Sequence, residues 1–263
     1  MRSNKVINIL SKLSLVIVII LLSCQNPESS SGGGGSGRSD DDDIKKELAN
    51  GVYAKLIVAR ISTEISGITI KMDSLEAIFS NYYDPCNVIS DLQPTSVSCS
   101  DENGTNYNLI FTNNMYLYND PMNINGFLGL GLKHEFDVAG SMQVPALVKS
   151  IDLPATEPII TVPASNAVIS KNNDFPITWQ GNTGDNVSII LLSVANTSEF
   201  ISVETSDDGS YAFTAAQLSS LNNGQYYLHV ERFNEEFITA PGYDSRSIIR
   251  TRLLSSILIN LTD

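Results

Sequence analysis

The sequence is poor in the residue types from which most catalytic and metal sites are built. Its 263 residues include only two histidines, one tryptophan and three cysteines. It contains no HExxH pattern, no CxxC pair and no GxSxG pentapeptide, so the common zinc and serine-hydrolase sites have no counterpart here. We therefore predict no catalytic residue, no metal ligand and no cofactor, and interpret the protein as a non-enzyme.

Positive charge is also scarce. Sixteen lysines and arginines stand against twenty-nine acidic residues, which gives a formal net charge of −13. A chain this acidic repels phosphate backbones and anionic lipid surfaces. The composition argues against nucleic acid as a partner and against electrostatic docking on a membrane.

One apolar run stands near the N-terminus. Basic residues at positions 2, 5 and 12 precede Leu13–Leu22, which is too short to span a bilayer, since a spanning helix takes about 20 residues. A basic start followed by a short apolar run is typical of a signal peptide. An uncleaved anchor with a cysteine placed by chance is the alternative.

The end of this run, Leu21-Leu22-Ser23-Cys24, resembles the lipobox of bacterial lipoproteins. The resemblance implies that residues 1–23 are removed as a signal peptide and that Cys24 carries lipid. The protein would then be held by lipid in a bacterial cell envelope. Gln25 stands where some inner-membrane lipoproteins have Asp, so the resemblance implies the outer membrane or cell surface.

Residues 24–45 contain a Gly/Ser run and four consecutive aspartates, with few apolar residues to bury. Such a composition is typical of a disordered segment. We expect a flexible tether that separates the folded part from the membrane.

Beyond the tether, apolar and polar residues alternate with the period of β-strands. The alternation is clearest in Ile68–Met72, Leu132–Val138, Phe175–Trp179, Tyr226–Val230 and Ile257–Leu261. Turn-forming pairs such as Asn103-Gly104 and Asp208-Gly209 separate the strands. The sequence predicts an all-β fold, with one short helix of one or two turns capped by Thr214. Asp73–Asn81 is left open between helix and strand, because Asp73 and Glu76 have the spacing of a capping box but β neighbours.

Two prolines and a loss of alternation mark a boundary near 152–160. We therefore predict two tandem antiparallel β-sandwich domains, at 46–153 and 157–263. Residues 160–170, the strand Phe175–Trp179 and the segment Asp207–Phe213, read as a later hairpin, resemble bacterial immunoglobulin-like or fibronectin-III-like modules. The resemblance implies a fold rather than a site, because these modules share no fixed binding residues.

The remaining cysteines, Cys86 and Cys99, are expected to form a disulfide, because export places them in an oxidising compartment. Two free buried thiols are the alternative. Of the histidines, we expect His134 to be a hydrogen-bonded core residue and His229 to face solvent. Trp179 is expected in the core.

Two pairs of adjacent carboxylates, Asp207-Asp208 and Glu235-Glu236, are expected in solvated turns. Adjacent strand residues point to opposite faces, so neither pair could flank one glycosidic bond. An oxygen-rich stretch at 119–126 does not fit the register of a calcium-binding EF-hand loop, because Pro121 and Leu132 fall at ligand positions.

Tyrosines are the most function-like feature of the sequence, because exposed tyrosines can stack on sugars or anchor a protein interface. They stand at positions 82, 83, 116, 118, 226, 227 and 243. The leading hypothesis is a non-catalytic lipoprotein with a binding, adhesion or structural role and a protein or glycan ligand. The alternative is a glycan-binding accessory lipoprotein for polysaccharide uptake, which requires several coplanar exposed tyrosines.

Overall fold

The structure is a computed structural model, and it describes residues 46–47, 51–65, 68–83, 90–120, 123, 125–180 and 186–263. Within those ranges no helix is long and apolar enough to cross a bilayer. The predicted signal peptide, the predicted lipidation site Cys24, the predicted tether and Cys86 lie outside the described residues.

The described part of the chain is almost entirely β, as predicted. The strands of its first part are β1 (Lys46–Glu47), β2 (Tyr53–Ile65), β3 (Ile68–Ser80), β4 (Tyr82–Tyr83), β5 (Ser96–Asp101), β6 (Asn106–Thr112), β7 (Met115–Asn119), β8 (Lys133–Ala139) and β9 (Leu147–Asp152). Those of its second part are β10 (Ile160–Val162), β11 (Val168–Ser170), β12 (Phe175–Trp179), β13 (Asn186–Ser193), β14 (Phe200–Ser206), β15 (Ser210–Phe213), β16 (Gly224–Phe237) and β17 (Ile248–Thr262).

The predicted short helix, α1 (Ala215–Leu218), is present among these strands. The Thr214 side chain caps its first turn, and Gln217 returns a bond to the Thr214 backbone, which forms a capping box. The helix therefore begins where the sequence predicts.

A large mixed sheet organises the molecule, with the strand order β14-β13-β16-β17-β2-β3-β7-β6-β5-β8-β9. Most pairs are antiparallel, but β17 runs parallel to β2 and to β11, so the purely antiparallel prediction is wrong at these two pairings. The first half of β6 pairs with β5 and its second half with β7. The sheet bends there, and both arms contribute to one core.

The first core fills the space between these arms. It is lined by alternate residues of β2, β3, β5, β8 and β17, and its members include Leu56, Leu75, Phe79, Phe136 and Leu253. Alternation places one side of each strand inward, as the period-2 pattern predicts.

The second core lies between two layers. A three-stranded sheet, β10-β12-β15, packs against β14-β13-β16-β17, with β11 beside β17. Phe175, Trp179, Ile189 and Leu228 lie in this core, and each of the four is buried. A three-stranded layer against a four- to five-stranded layer is the arrangement of immunoglobulin-like sandwiches.

The two cores share their last strands, which the expected division at residue 157 does not anticipate. The first half of β17 (Ile249 and Leu253) and the preceding loop (Ile238 and Tyr243) lie in the first core. The second half of β17, with Ile259, lies in the second core. Residues from about 238 to 254 therefore pack with the N-terminal half of the chain.

Candidate functional site

Both cores lie on the same side of the large sheet, and this leaves its other side facing neither of them. On β16 the core side is carried by Tyr226, Leu228 and Val230, so the odd-numbered residues point the other way. We call this other side of β13, β16, β17, β2 and β3 the rear face. Its residues belong to neither of the two cores.

The strand register orders the rear face into rows. His229 lies between Ile190 of β13 and Ser256 of β17, and Ser256 lies beside Thr63 of β2. The next row, two residues along each strand, contains Ser188, Glu231, Leu254, Ile61 and Met72. A third row contains Phe233, Arg252, Ala59 and Ser74. Each row lies about 6.8 Å from the next.

The middle of the rear face is shielded from solvent although it belongs to neither core. Ile190, Leu254, Ile57 and Ile61 are each at most 4% exposed, and polar residues on the same face are equally buried. Burying polar groups beside apolar ones requires them to find partners, because an unsatisfied buried polar group costs about 1–3 kcal/mol.

An ion-pair network crosses the middle of the rear face. Arg250 donates to Glu231 at 2.7 Å and to Glu235 at 3.2 Å, and its guanidinium lies 3.8 Å from the centre of the Phe233 ring. Arg252 lies 3.8 Å from Glu231. Burial raises the pKa of Glu231, but Arg250 and Arg252 outweigh it and hold that pKa below its usual value. Glu231 is therefore an ionised carboxylate neutralised by two arginines.

Lys55 and Glu76 are further polar groups of this face. Burial, reinforced by Arg252 and Arg250, lowers the pKa of Lys55 to about 8. Ser74 donates to one carboxylate oxygen of Glu76 at 2.9 Å, and the other oxygen has no hydrogen-bond partner within the described part of the chain. Lys55 thus has a lowered pKa, and Glu76 uses only one of its two carboxylate oxygens among the described residues. The polar groups at this end of the face are therefore incompletely paired.

His229 and Ser256 are the least satisfied groups on the rear face. Each is 2% exposed, and neither ring nitrogen of His229 nor the Ser256 hydroxyl has a hydrogen-bond partner among the described residues. The Tyr227 ring stacks on the His229 ring with centroids 5.7 Å apart. Burial lowers the pKa of His229 to about 4, with Glu231 opposing and Arg252 reinforcing the shift. The imidazole is therefore neutral near pH 7.

The prediction for one histidine is confirmed, and the prediction for the other is wrong. His134 is a fully buried core residue whose Nδ1 lies 3.0 Å from the Leu132 carbonyl oxygen, as predicted. The prediction that His229 faces solvent is wrong. Its strand alternates as expected, but both of its sides are buried.

Trp179 is a core residue, as predicted, and it leads to a buried polar cluster that the sequence did not indicate. Its indole donates to Asp207 at 2.7 Å, and Arg232 donates to the same carboxylate at 2.8 Å. Arg232 also binds the backbone carbonyl oxygens of Thr156 and Gln180. The expectation of a solvated turn is therefore wrong for Asp207. Its carboxylate holds Arg232, and Arg232 in turn fixes the segment between the two cores.

The second carboxylate pair also differs from expectation. Glu235 and Glu236 lie within β16 rather than in a turn. Glu235 binds Arg250, and Glu236 binds Lys149 of β9, so the two carboxylates point to opposite sides as adjacent strand residues must.

The expected disulfide is not formed. Cys99 is a free thiol, fully buried in the first core between Tyr107 of β6 and Phe136 of β8. Its side chain points into packed aromatic residues. Burial, followed by the nearby carboxylates of Asp101 and Glu135, raises its pKa to about 12.

The described tyrosines do not form the aromatic platform that glycan stacking requires. Tyr116, Tyr226 and Tyr243 are at most 7% exposed, and their hydroxyls bind internal groups. Tyr118 packs in an edge-to-face arrangement on Phe127 beside the first core. The described residues also contain no group of three or more His, Cys, Asp or Glu side chains that could hold a metal ion.

The signal for the rear face was present in the sequence as unbroken apolar runs. Leu56-Ile57-Val58-Ala59 in β2 and Ile189–Leu192 in β13 are apolar at every position. Strands buried on both faces have such runs, whereas strands with a solvated side alternate.

Comparison with known proteins adds little to this description. No family model matches the chain, and no curated protein matches it. Among solved structures, it is similar to the FN1–FN3 domains of chicken CNTN1, with 13% identity, a TM-score of 0.24, and coverage of 78% of this chain and 67% of that one.

Two structures from adhesion proteins give similar values. A tetra-tandem repeat from the extending region of a large adhesion protein shares 16% identity at a TM-score of 0.21, over 78% of this chain and 49% of that one. A structure from a 1.5-MDa bacterial ice-binding adhesin shares 10% identity at 0.23, over 81% and 66%. Such TM-scores do not establish a common fold, and the sandwich assignment rests on the strand pairing above.

Proposed function

We propose that this chain is a non-catalytic binding protein of a bacterial cell envelope, anchored by lipid on Cys24, and that the row of the rear face that reaches solvent at Phe200 and Tyr227 is its binding surface. The sequence Leu21-Leu22-Ser23-Cys24 supports the anchor. Two acyl chains make such an anchor stable, since each buried methylene contributes about 0.8 kcal/mol. Adhesion to a cell or matrix surface is one form that this function could take.

This row carries the binding part of the proposal. Phe200 is exposed and Tyr227 is half-buried, and Leu192 lies between them in the strand register. Aromatic side chains that reach solvent are typical anchors of protein interfaces.

The anchor is tested by replacing Cys24 with serine in the producing cell. The unchanged protein should incorporate an alkyne-labelled fatty acid and sediment with membranes. Cys24→Ser should abolish labelling and release the protein from the membrane fraction. Fatty-acid labelling that persists in Cys24→Ser would contradict lipidation at this residue.

The binding surface is tested by photo-crosslinking in intact cells. Benzoylphenylalanine is placed at Tyr227 on the rear face or, as a control, at Tyr211 of β15, which is also a half-buried tyrosine but lies on the opposite layer. We expect a discrete adduct from position 227 and none from 211. Identical adduct patterns at both positions would overturn the assignment of this row as the binding surface.

A further inference from the structure

We infer that the outer edge of β14 accepts an added β-strand from a partner protein, and that this strand carries a basic residue opposite Glu204. The inference rests on the proposed function of the row that contains Phe200 and Tyr227, and it specifies the partner. β14 is the last strand at one end of the large sheet, and among the described strands it pairs with β13 alone. Its far edge is therefore a row of backbone groups without a neighbouring strand.

The hydrogen bonds of β13 show which backbone groups of β14 face that edge. The Ser193 N–H donates to the Glu199 carbonyl oxygen at 3.0 Å, on the side of β14. The next N–H, that of Val194, donates to the Gln225 carbonyl oxygen at 2.9 Å, on the side of β16. Such bonds fall at every second residue of an antiparallel pair, so the odd-numbered residues of β14 bond to β13. The even-numbered residues direct their N–H and C=O groups away from β13.

The outer edge of β14 is open to solvent. Phe200, Ser202, Glu204 and Ser206, the even-numbered residues, are all exposed. Among the described residues, no group outside the sheet bonds to the backbone of Ser202 or Glu204. An approaching strand can therefore reach these backbone groups and pair with them.

β14 also lacks the features that usually protect an edge strand. Natural edge strands are very short, or they carry lysine, proline or a bulge. β14 has seven residues, none of them lysine or proline, and keeps an unbroken register with β13. The strand at the other end of the sheet, β9, lies against β16 and β17 instead, and Asn234 and Thr251 both donate to its Asp152 carbonyl oxygen. Of these two end strands, only β14 offers a free edge.

The side chains of β14 specify those of the added strand. Ile201 and Val203 pack against the second core but are only half-buried. Apolar side chains of an added strand would lie beside them and bury them further, since cross-strand neighbours on one face are in contact. On the other face, an aromatic residue of the added strand would pack on the exposed Phe200.

Charge favours a basic segment over a second copy of this chain. Burial raises the pKa of Glu204, Arg250 opposes the shift, and Glu235 and Glu231 add to it. A cation placed opposite Glu204 would offset the repulsion from these carboxylates. A second copy would instead bring the same acidic edge and a formal net charge of −13, so two copies repel each other.

The inference is tested with synthetic peptides on the full chain, purified in detergent. The probe is the capped, fluorescein-labelled peptide Thr-Val-Arg-Val-Thr-Val-Tyr. In antiparallel register its arginine lies opposite Glu204, its tyrosine opposite Phe200, and its valines on the side of the second core. Two isomeric controls each carry two backbone N-methyl groups. One has them at the third and fifth residues, whose N–H groups face β14, and the other at the fourth and sixth, whose N–H groups face away.

Fluorescence polarisation gives the half-saturation concentration of each peptide. The parent peptide and the isomer methylated on the far side should agree. The isomer methylated toward β14 should bind about tenfold more weakly or worse, because it loses two hydrogen bonds. All three peptides have the same charge, so nonspecific attraction to the acidic chain cannot produce this difference. Equal binding by the two methylated isomers, or no binding by the parent peptide, would overturn the inference.

Variants of β14 locate the site on the protein. Ser202→Pro removes an N–H that faces the free edge and has no partner in β13, and proline is tolerated at such edge positions. It should weaken binding of the parent peptide about tenfold, whereas Ser202→Ala should bind as the unchanged protein does. Trp179 fluorescence checks that the second core remains folded. Undiminished binding by a folded Ser202→Pro protein would contradict strand addition.

Two further outcomes are distinguishable. If sedimentation velocity showed the protein alone to form a dimer that Ser202→Pro abolishes, a second copy would be the partner and the inference would be wrong. In the crosslinking experiment, a protein adduct at position 227 that persists in Ser202→Pro would leave the binding row standing and overturn strand addition. Peptide binding without any adduct at position 227 would remove the row from the proposed function and leave the β14 edge as the site.

Discussion

At the scale of single residues, burial of His229 makes folding sensitive to pH. Its pKa is about 4 in the folded chain, against about 6.5 for a histidine in an unfolded chain. Between these values the unfolded chain binds a proton that the folded chain does not. The contribution of the neutral ring to stability is therefore complete above pH 6.5 and is lost as the pH falls toward 4.

We expect His229→Phe to lose less stability than the parent between pH 7 and pH 5. The measurement is urea unfolding at a series of pH values, comparing free energies of unfolding. Glu231 and Arg252 face the ring from β16 and β17. The pKa of Glu231 lies below its usual value, so its carboxylate stays ionised through this range in the two proteins. Parallel stability curves for parent and variant would show that His229 does not titrate as the structure implies.

A second residue-scale prediction concerns Cys99, whose thiol is buried and has a pKa of about 12. Thiol reagents attack the thiolate, so the folded protein should leave Cys99 unmodified by iodoacetamide at pH 8. In denaturant without reductant, Cys99 should become alkylated, since it is not bridged. Peptide mass spectrometry reads both states. A Cys86–Cys99 peptide in the unreduced digest would contradict the free thiol.

The residues that sequence reasoning misjudged share one cause. His229 and Asp207 were expected in water because a polar residue beside an alternating pattern normally points outward. Both lie where the outward side of the strand or turn is itself buried. Alternation gives the side to which a residue points, and His134 and Trp179 were predicted on that basis. It does not give what lies on that side.

At the scale of elements, strand positions follow from the sequence better than strand partners do. The strands around Phe175–Trp179 and Tyr226–Val230 were predicted, as was the cap of α1. The Asp208-Gly209 pair was expected to close a hairpin, but β14 and β15 lie in different layers. A turn dipeptide specifies a reversal of the chain, and packing of the two layers decides which strands pair.

The loop after β7 provides an element-scale prediction. Gly126 has a φ of +79°, and an added Cβ would lie 2.6 Å from Arg60 Nη2 and 2.8 Å from Asp73 Oδ2. Arg60 and Asp73 are joined there by two hydrogen bonds of 2.7 and 2.8 Å. Gly126→Ala therefore combines backbone strain with displacement of a buried ion pair, and we expect a loss of about 3 kcal/mol or more.

Gly104 is the matched control for this substitution. It has a similar φ of +82°, but an added Cβ would meet no atom within 4 Å. Gly104→Ala should cost only the backbone strain, about 1 kcal/mol. Chemical denaturation of both variants measures the difference. Equal losses would show that the Arg60–Asp73 pair tolerates the methyl group.

At the scale of the whole molecule, the shared strands β16 and β17 bear on how the chain unfolds. Two independent domains, divided near residue 157, would melt separately. The observed β17 instead contributes Leu253 to the first core and Ile259 to the second, and Arg232 holds backbone on both sides of the division. Unfolding of either core would release one half of β17, whose other half is packed in the remaining core.

We therefore expect one cooperative transition, and the single tryptophan makes it measurable. Trp179 reports the second core, whereas Leu56 lies fully buried in the first. Leu56→Ala should cost about 2–5 kcal/mol and should lower the urea midpoint of Trp179 fluorescence by about 1 M or more, together with the far-ultraviolet signal. If the fluorescence midpoint stayed in place while the far-ultraviolet transition split in two, the cores would be independent units. If both midpoints shifted together, the two cores would unfold as one unit, which we attribute to the strands that they share.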